Sequence, residues 1–163
     1  MSVTPTQRRH IVRLCLLLNK YAPLVNYAEV RPMSTAHLTE SQLRLRFEAG
    51  RTITTDCSET VTLVCRLAGL KDPNGLAYDG EGYTGTMLDH LEHFTNFDEA
   101  HPGTLIVFGD FPGTHVVIVV RPNGTNPSIY SHGSHASSAI WDLDTERTYH
   151  AGQPMTLLAI EDL

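Results

Sequence analysis

The hydrophobic period of this chain changes once along its length, and that change dictates the fold class. Up to about residue 94 the apolar residues recur at helical spacing. From Thr104 onward they come in short unbroken runs rich in Val, Ile and Phe, the pattern of buried strands. Residues 4–21 read as a first helix: Thr4 caps it, Pro5 suits its first turn, and Ile11, Leu14, Cys15 and Leu18 share a face. Pro23 ends it. A short helix is expected over 40–49. A further helix is expected over 58–68, where Val61, Val64, Cys65 and Ala68 form a stripe and Gly69 supplies the stop. A turn-rich loop covers 71–85, and a short helix is expected over 86–94. Strands are expected over 104–108, 115–121, 128–131, 145–149 and 155–160, with a hairpin loop at 122–126. Helices first and consecutive strands after make an α+β domain, a helical N-terminal half packed on an antiparallel sheet.

The 163 residues are one domain's worth, 1–163, and a core of that size needs no staples. Twelve basic and eighteen acidic residues give a formal charge of -6, which argues against nucleic acid or an anionic membrane surface as partner. No apolar stretch reaches the roughly 20 residues of a membrane span. The N-terminal apolar run is broken by Arg13, so no signal peptide is expected. Three cysteines, an odd number without CxxC spacing, argue against a disulfide framework and a zinc ribbon and leave room for one functional thiol.

Cys57 is the candidate. Cys15 and Cys65 sit inside apolar helical stripes, whereas Cys57 stands in Thr55-Asp56-Cys57-Ser58, directly before a helix. A thiol there faces unpaired N–H groups and the positive end of the helix dipole, so its pKa is expected to fall below the free value of about 8.5. The same N–H groups suit a developing oxyanion. A thiolate enzyme needs a base, and His115 opens an otherwise apolar strand. The base needs an orienting partner, and His132, beyond the hairpin, is placed to meet His115 across an antiparallel pair, with Ser131 and His135 as alternatives. His90, His93, His101 and Asp110 lack a metal-ligand spacing and read as a solvated face. Gly80, Gly82 and Gly85 are loop glycines with no phosphate-binding lysine after them, and Trp141 reads as core packing.

With Asp56-Cys57-Ser58, a strand beginning at His115 and His132 on the next strand, the chain resembles the NlpC/P60 cysteine peptidases of the papain-like group, and most of all those of actinobacterial phages. The segment 26–33, the loop stretches 68–76 and 82–86, and Ser131-His132-Gly133-Ser134 carry the same similarity, which runs from about Tyr27 to Ser134. The resemblance implies a papain-like fold and a peptidoglycan hydrolase that cuts stem-peptide amide bonds by acyl transfer, without metal or cofactor. It implies Cys57 as nucleophile, His115 as base and His132 as orienter. Tyr27 becomes a contact near the nucleophile, and Asp56 and Ser58 hold the amine end of the substrate. It also implies an enzyme that waits in the cytoplasm for release or rides in a virion. The alternatives are a muramoyl–alanine amidase or a deamidase with the same Cys–His site, and a non-catalytic phage structural module. The sequence departs from the family at Glu59, where glycine is usual, and at Thr104, after Gly103, where aspartate is frequent. Glu59 is expected to face solvent or a cationic substrate group.

Overall fold

The computed structural model describes residues 2–135 and 137–163. The chain is α+β. Helices α1 (Pro5–Lys20), α2 (Glu40–Glu48) and α3 (Cys57–Leu67) precede α4 (Thr84–His90), and α5 (Leu143–Tyr149) comes late. Two short parallel strands, β1 (Val25–Tyr27) and β2 (Ile53–Thr55), pair with each other. Six antiparallel strands form the main sheet: β3 (Glu92–Phe94), β4 (Leu105–Phe108), β5 (His115–Arg121), β6 (Ser128–Ser131), β7 (Ala139–Asp142) and β8 (Met155–Ala159), in the order β3-β8-β4-β5-β6-β7. Among the described residues no helix is long and apolar enough to cross a membrane.

The expected caps are present. Thr4 Oγ1 accepts from Gln7 N while Gln7 Oε1 takes the Thr4 N–H, a capping box, and Thr39 and Gln42 repeat it on α2. Gly69 closes α3 at φ +71°, the left-handed region that glycine enters without penalty.

Alternation along β5 divides the core. Val116 and Ile118 face α1 and α3, together with Leu14, Val61, Val64, Leu105 and Tyr130. Val117 and Val119 face the other way, with Ile106, Phe108, Ile129 and Leu143 of α5. Strands β4 and β5 are thus buried on both faces, and each fully buried Val, Leu, Ile or Phe contributes about 1.5–3 kcal/mol.

Two expected elements differ. Residues 145–149 form most of helix α5 instead of a strand. Asp142 Oδ1 accepts from Thr145 N at 2.8 Å, and this N-cap outweighs the β-propensity of the threonines and tyrosine. The helix expected over 86–94 starts earlier and ends at His90, after which residues 92–94 join the edge of the sheet against β8. Strands β1 and β2, three residues each, are too short to carry a visible period, and β7 alternates no buried face.

Candidate active site

The tip of α3 is assembled by the two short parallel strands. Strand β2 runs straight into Asp56, the N-cap, whose Oδ1 accepts from Glu59 N at 2.7 Å. Cys57 follows as the first helical residue, 8% exposed. The backbone N–H groups of Val116, Ser58 and Cys57 itself act on its sulfur. Val116 is the second residue of β5, so the sulfur lies against the start of the strand that His115 opens. Tyr27, at the end of β1 and 40% exposed, brings its hydroxyl beside the thiol. Burial, then the Cys57 and Asp56 charges, pushes that phenol up to about 12. An open groove of about 420 Å³, lined by Ala22, Pro23, Val25, Asn26, Tyr27 and Ser137, leads along this side.

The thiol itself departs from expectation. Burial, reinforced by the Asp56 carboxylate, pushes Cys57 up to about 11, against the pull of the backbone N–H groups. Burial outweighs the helix terminus because the sulfur is enclosed between α3, β5 and Tyr27. Burial also raises Cys65, to about 12, and Cys15 further still. Cys57 is therefore the most acidic of the three but a protonated thiol at neutral pH.

Asp56 and Ser58 are held by the protein's own cation. Arg31 Nη2 donates to Asp56 Oδ2 at 2.9 Å and to Ser58 Oγ at 3.0 Å, while Ser58 Oγ donates to Asp56 Oδ1 at 2.9 Å. The remaining Arg31 donors go to the carbonyls of Gly82 and Val30. Arg31 thus occupies the place that sequence reasoning reserved for a substrate amine. Arg31→Ala leaves the buried Asp56 charge without its partner and is expected to destabilise the protein by about 3 kcal/mol, read as a fall in the urea midpoint at unchanged m.

Glu59 is fully buried, not solvent-facing. Its Oε1 accepts from Thr35 N at 2.9 Å and Thr35 Oγ1 at 2.7 Å, tying the 31–38 segment to α3, and its Oε2 has no hydrogen bond. Burial raises this carboxyl, with the Thr35 bonds opposing. A raised acid holds its proton more tightly in the folded state, so the fold loses stability as pH climbs above the ordinary 4.5. Glu59→Gln is expected to raise the melting temperature near neutral pH and to give no gain below 4.5, measured by thermal melts across that range.

The two histidines part company. Register Ile118↔Tyr130, continued by two residues, sets His132 opposite Val116 rather than His115, so His132 points to the α3 face and His115 to the α5 face. His132 does not orient His115. Its Nε2 donates to Thr55 O at 2.9 Å and to Asn26 O at 3.3 Å, and its Nδ1 accepts from Ser138 N at 3.2 Å. It locks β1 to β2 just ahead of Cys57, edge-on to Tyr27. Among the described residues no hydrogen bond joins Cys57 to an imidazole.

His115 is partnered instead by Ser131 Oγ at 2.9 Å from its Nε2 and by Glu146 Oε1 at 3.1 Å from the same nitrogen. Its ring stacks on His150, with centroids 4.9 Å apart. Burial lowers its pKa, opposed by Glu146, so the ring is neutral at pH 7. Burial alone would raise Glu146, yet the His115 and His150 imidazoles and the Trp141 indole N–H hold the carboxyl well below its usual range. His135 and His150 complete this group around the carboxylate. Ser131 and His135 are the alternatives expected from the sequence, whereas Glu146 and His150 carry no such expectation. Their i, i+4 spacing on a capped helix was the available signal. His90, His93, His101 and Asp110 are exposed.

Compared with known proteins, the chain matches no family model and no curated protein.

Proposed function

We propose that this chain is a thiol-dependent amide hydrolase of the papain-like NlpC/P60 type, cutting peptidoglycan stem peptides. The observation that carries the reading is the placement of the Cys57 sulfur, at the first turn of α3 and against the first residues of the strand that begins with His115. The resemblance of segments 26–33, 56–58 and 131–134 to that family supplies the substrate class.

Chemistry follows from the partners. Ser131 and Glu146 engage His115 through Nε2, which leaves Nδ1 to exchange protons. Cys57 starts as a neutral thiol on the α3 face while the His115 ring rests on the α5 face, so in this reading the ring turns at the start of β5 to reach the sulfur and removes its proton as the sulfur attacks the carbonyl carbon, instead of working from a preformed ion pair. The oxyanion is met by the N–H groups at the tip of α3 and by the Tyr27 hydroxyl. His115 returns the proton to the departing amine, leaving a thioester on Cys57. A water, deprotonated by His115, then releases the new carboxylate and restores the thiol. At rest, Glu146 and Ser131 hold the ring through Nε2 in the tautomer this requires, the role expected of His132 from the sequence. The protein acts on the wall after release from a cell or from a virion.

One observation favours the non-catalytic alternative: the thiol is buried, protonated and not hydrogen-bonded to an imidazole, with the His115 ring held on the opposite face of the sheet. Incubation with purified sacculi and mass spectrometry of the soluble fragments decides. New amino and carboxyl ends within stem peptides establish the endopeptidase. Free lactyl carboxyl ends establish the amidase. No release from either bond overturns the hydrolase reading.

A further inference from the structure

On the α5 face of the sheet, three imidazoles converge on one carboxylate oxygen. Glu146 Oε1 lies 3.1 Å from His115 Nε2, 3.0 Å from His135 Nε2 and 3.2 Å from His150 Nε2. The ligand atoms of all four residues lie within 4.8 Å of one another. Glu146 is fully buried, and the side chains of His115, His150 and His135 are 4%, 11% and 16% exposed. They come from three separate parts of the chain: the start of β5, the turn after β6, and α5 with its C-cap.

Hydrogen bonding does not account for this convergence. A carboxylate oxygen offers two lone pairs to three nitrogens. His150 bonds Oε1, and His115 divides its one Nε2 between Oε1 and Ser131 Oγ. His135 Nε2 is buried with no hydrogen bond, although it stands 3.0 Å from the same oxygen. An orphaned imidazole nitrogen aimed at a buried carboxylate is costly unless something else takes its lone pair.

We infer that His115, His135, His150 and Glu146 form a binding site for a divalent transition metal of the zinc type. A tetrahedral zinc with bonds of about 2.0–2.1 Å has ligand–ligand edges of about 3.3–3.4 Å, close to the three oxygen–nitrogen separations here. Small rotations of the rings close the wider edges. Trp141 Nε1 donates to Glu146 Oε2 at 2.7 Å, the kind of outer hydrogen bond that fixes a ligating carboxylate. Imidazoles with one carboxylate suit zinc better than magnesium or calcium, which take oxygen. Four protein ligands fill a tetrahedron and leave no position for a reacting water, so the metal is structural or regulatory.

The site shares His115 with the proposed hydrolase, and the consequence that follows rests on that reading. An imidazole bound to metal through Nε2 carries its proton on Nδ1 and has no lone pair there. Metal occupancy therefore takes away the base that Cys57 needs. The ion holds the enzyme silent, and its removal releases it.

The test uses the full chain, stripped with a chelator and titrated with Co²⁺ alone. One equivalent is expected to bind with the intense visible absorption of a tetrahedral ion and without a sulfur charge-transfer band. Cys57→Ala should leave the spectrum unchanged. His135→Gln and His150→Gln, both partly exposed and checked for folding by circular dichroism, should each weaken binding by at least about tenfold. The double variant should abolish it. Absence of binding, the weak absorption of an octahedral ion, or binding unmoved by both variants overturns the site. Separately, one equivalent of Zn²⁺ should stop sacculus hydrolysis by the wild type, with chelator restoring it. Zinc binding without loss of measurable hydrolysis overturns the regulatory link. A protein that binds cobalt tetrahedrally but never hydrolyses sacculi keeps the metal site and loses only the hydrolase reading.

Discussion

Cys57→Ala and His115→Ala each lower the release of sacculus fragments by about 10⁵–10⁶-fold, and the double variant is no worse than either alone. This is the expected result if one sulfur and one imidazole act as a unit. In the proposed mechanism the sulfur forms the bond, and with its pKa pushed up to about 11 it needs a base to do so at neutral pH. Removing the base is then equivalent to removing the nucleophile. Metal-free protein is used throughout, so that an occupied His115 does not disguise the effect. Cys57→Ala is expected to cost only about 1 kcal/mol in stability, since a small buried thiol gives up few contacts. Thermal melts alongside the fragment assay separate the two effects. Losses that multiply in the double variant would show that Cys57 and His115 act independently, and the proposed site would fall.

The sequence carried the helix ends and the strand cores because local chemistry sets them. Thr4 with Gln7 caps α1 whatever packs against it, and the run His115–Arg121 has no stable fate but a strand buried on both faces. Cys57 was legible for the same reason: it differs from Cys15 and Cys65 in lying outside any apolar stripe. What was not legible depends on parity. Which face a strand residue meets is settled by register across the 122–127 hairpin, and one residue exchanges the faces of Ser131 and His132. The sequence cannot count that register, because the ladder shifts between Val119 and Arg121. Glu59 misled for a related reason. A carboxylate in a first helical turn is ordinarily solvated, and only the path of the 31–38 segment over α3 gives it the buried Thr35 donors. Glu146 sat in a stretch, Thr145 to Tyr149, whose β-branched and aromatic residues masked a helix.

Glu146→Gln and His132→Ala separate the partner of His115, the proposed base, from the brace beneath Cys57. Glu146→Gln keeps shape and one carbonyl oxygen but replaces the anion that faces His115 Nε2. An amide in that place is free to present its N–H₂ to the ring and stabilise the wrong tautomer, so hydrolysis is expected to fall by about 10³–10⁴-fold in chelated protein. Cys57 and its helix tip lie on the other face of the sheet, so iodoacetamide alkylation of Cys57 should proceed at the wild-type rate. His132→Ala removes a ring whose two nitrogens bond only backbone groups: Thr55 O, Asn26 O and Ser138 N. It leaves buried carbonyls without a donor at the junction of β1 and β2, at about 1–3 kcal/mol. The expected signature is a lower melting temperature and faster alkylation of Cys57, because the floor under the thiol loosens. Residual hydrolysis should exceed that of Glu146→Gln at a temperature where both are folded. The opposite ranking, with His132→Ala inactive at unchanged stability and Glu146→Gln active, would return the orienting role to His132. It would also require β5 and β6 to pair one residue out of the register that places Ser131 beside His115.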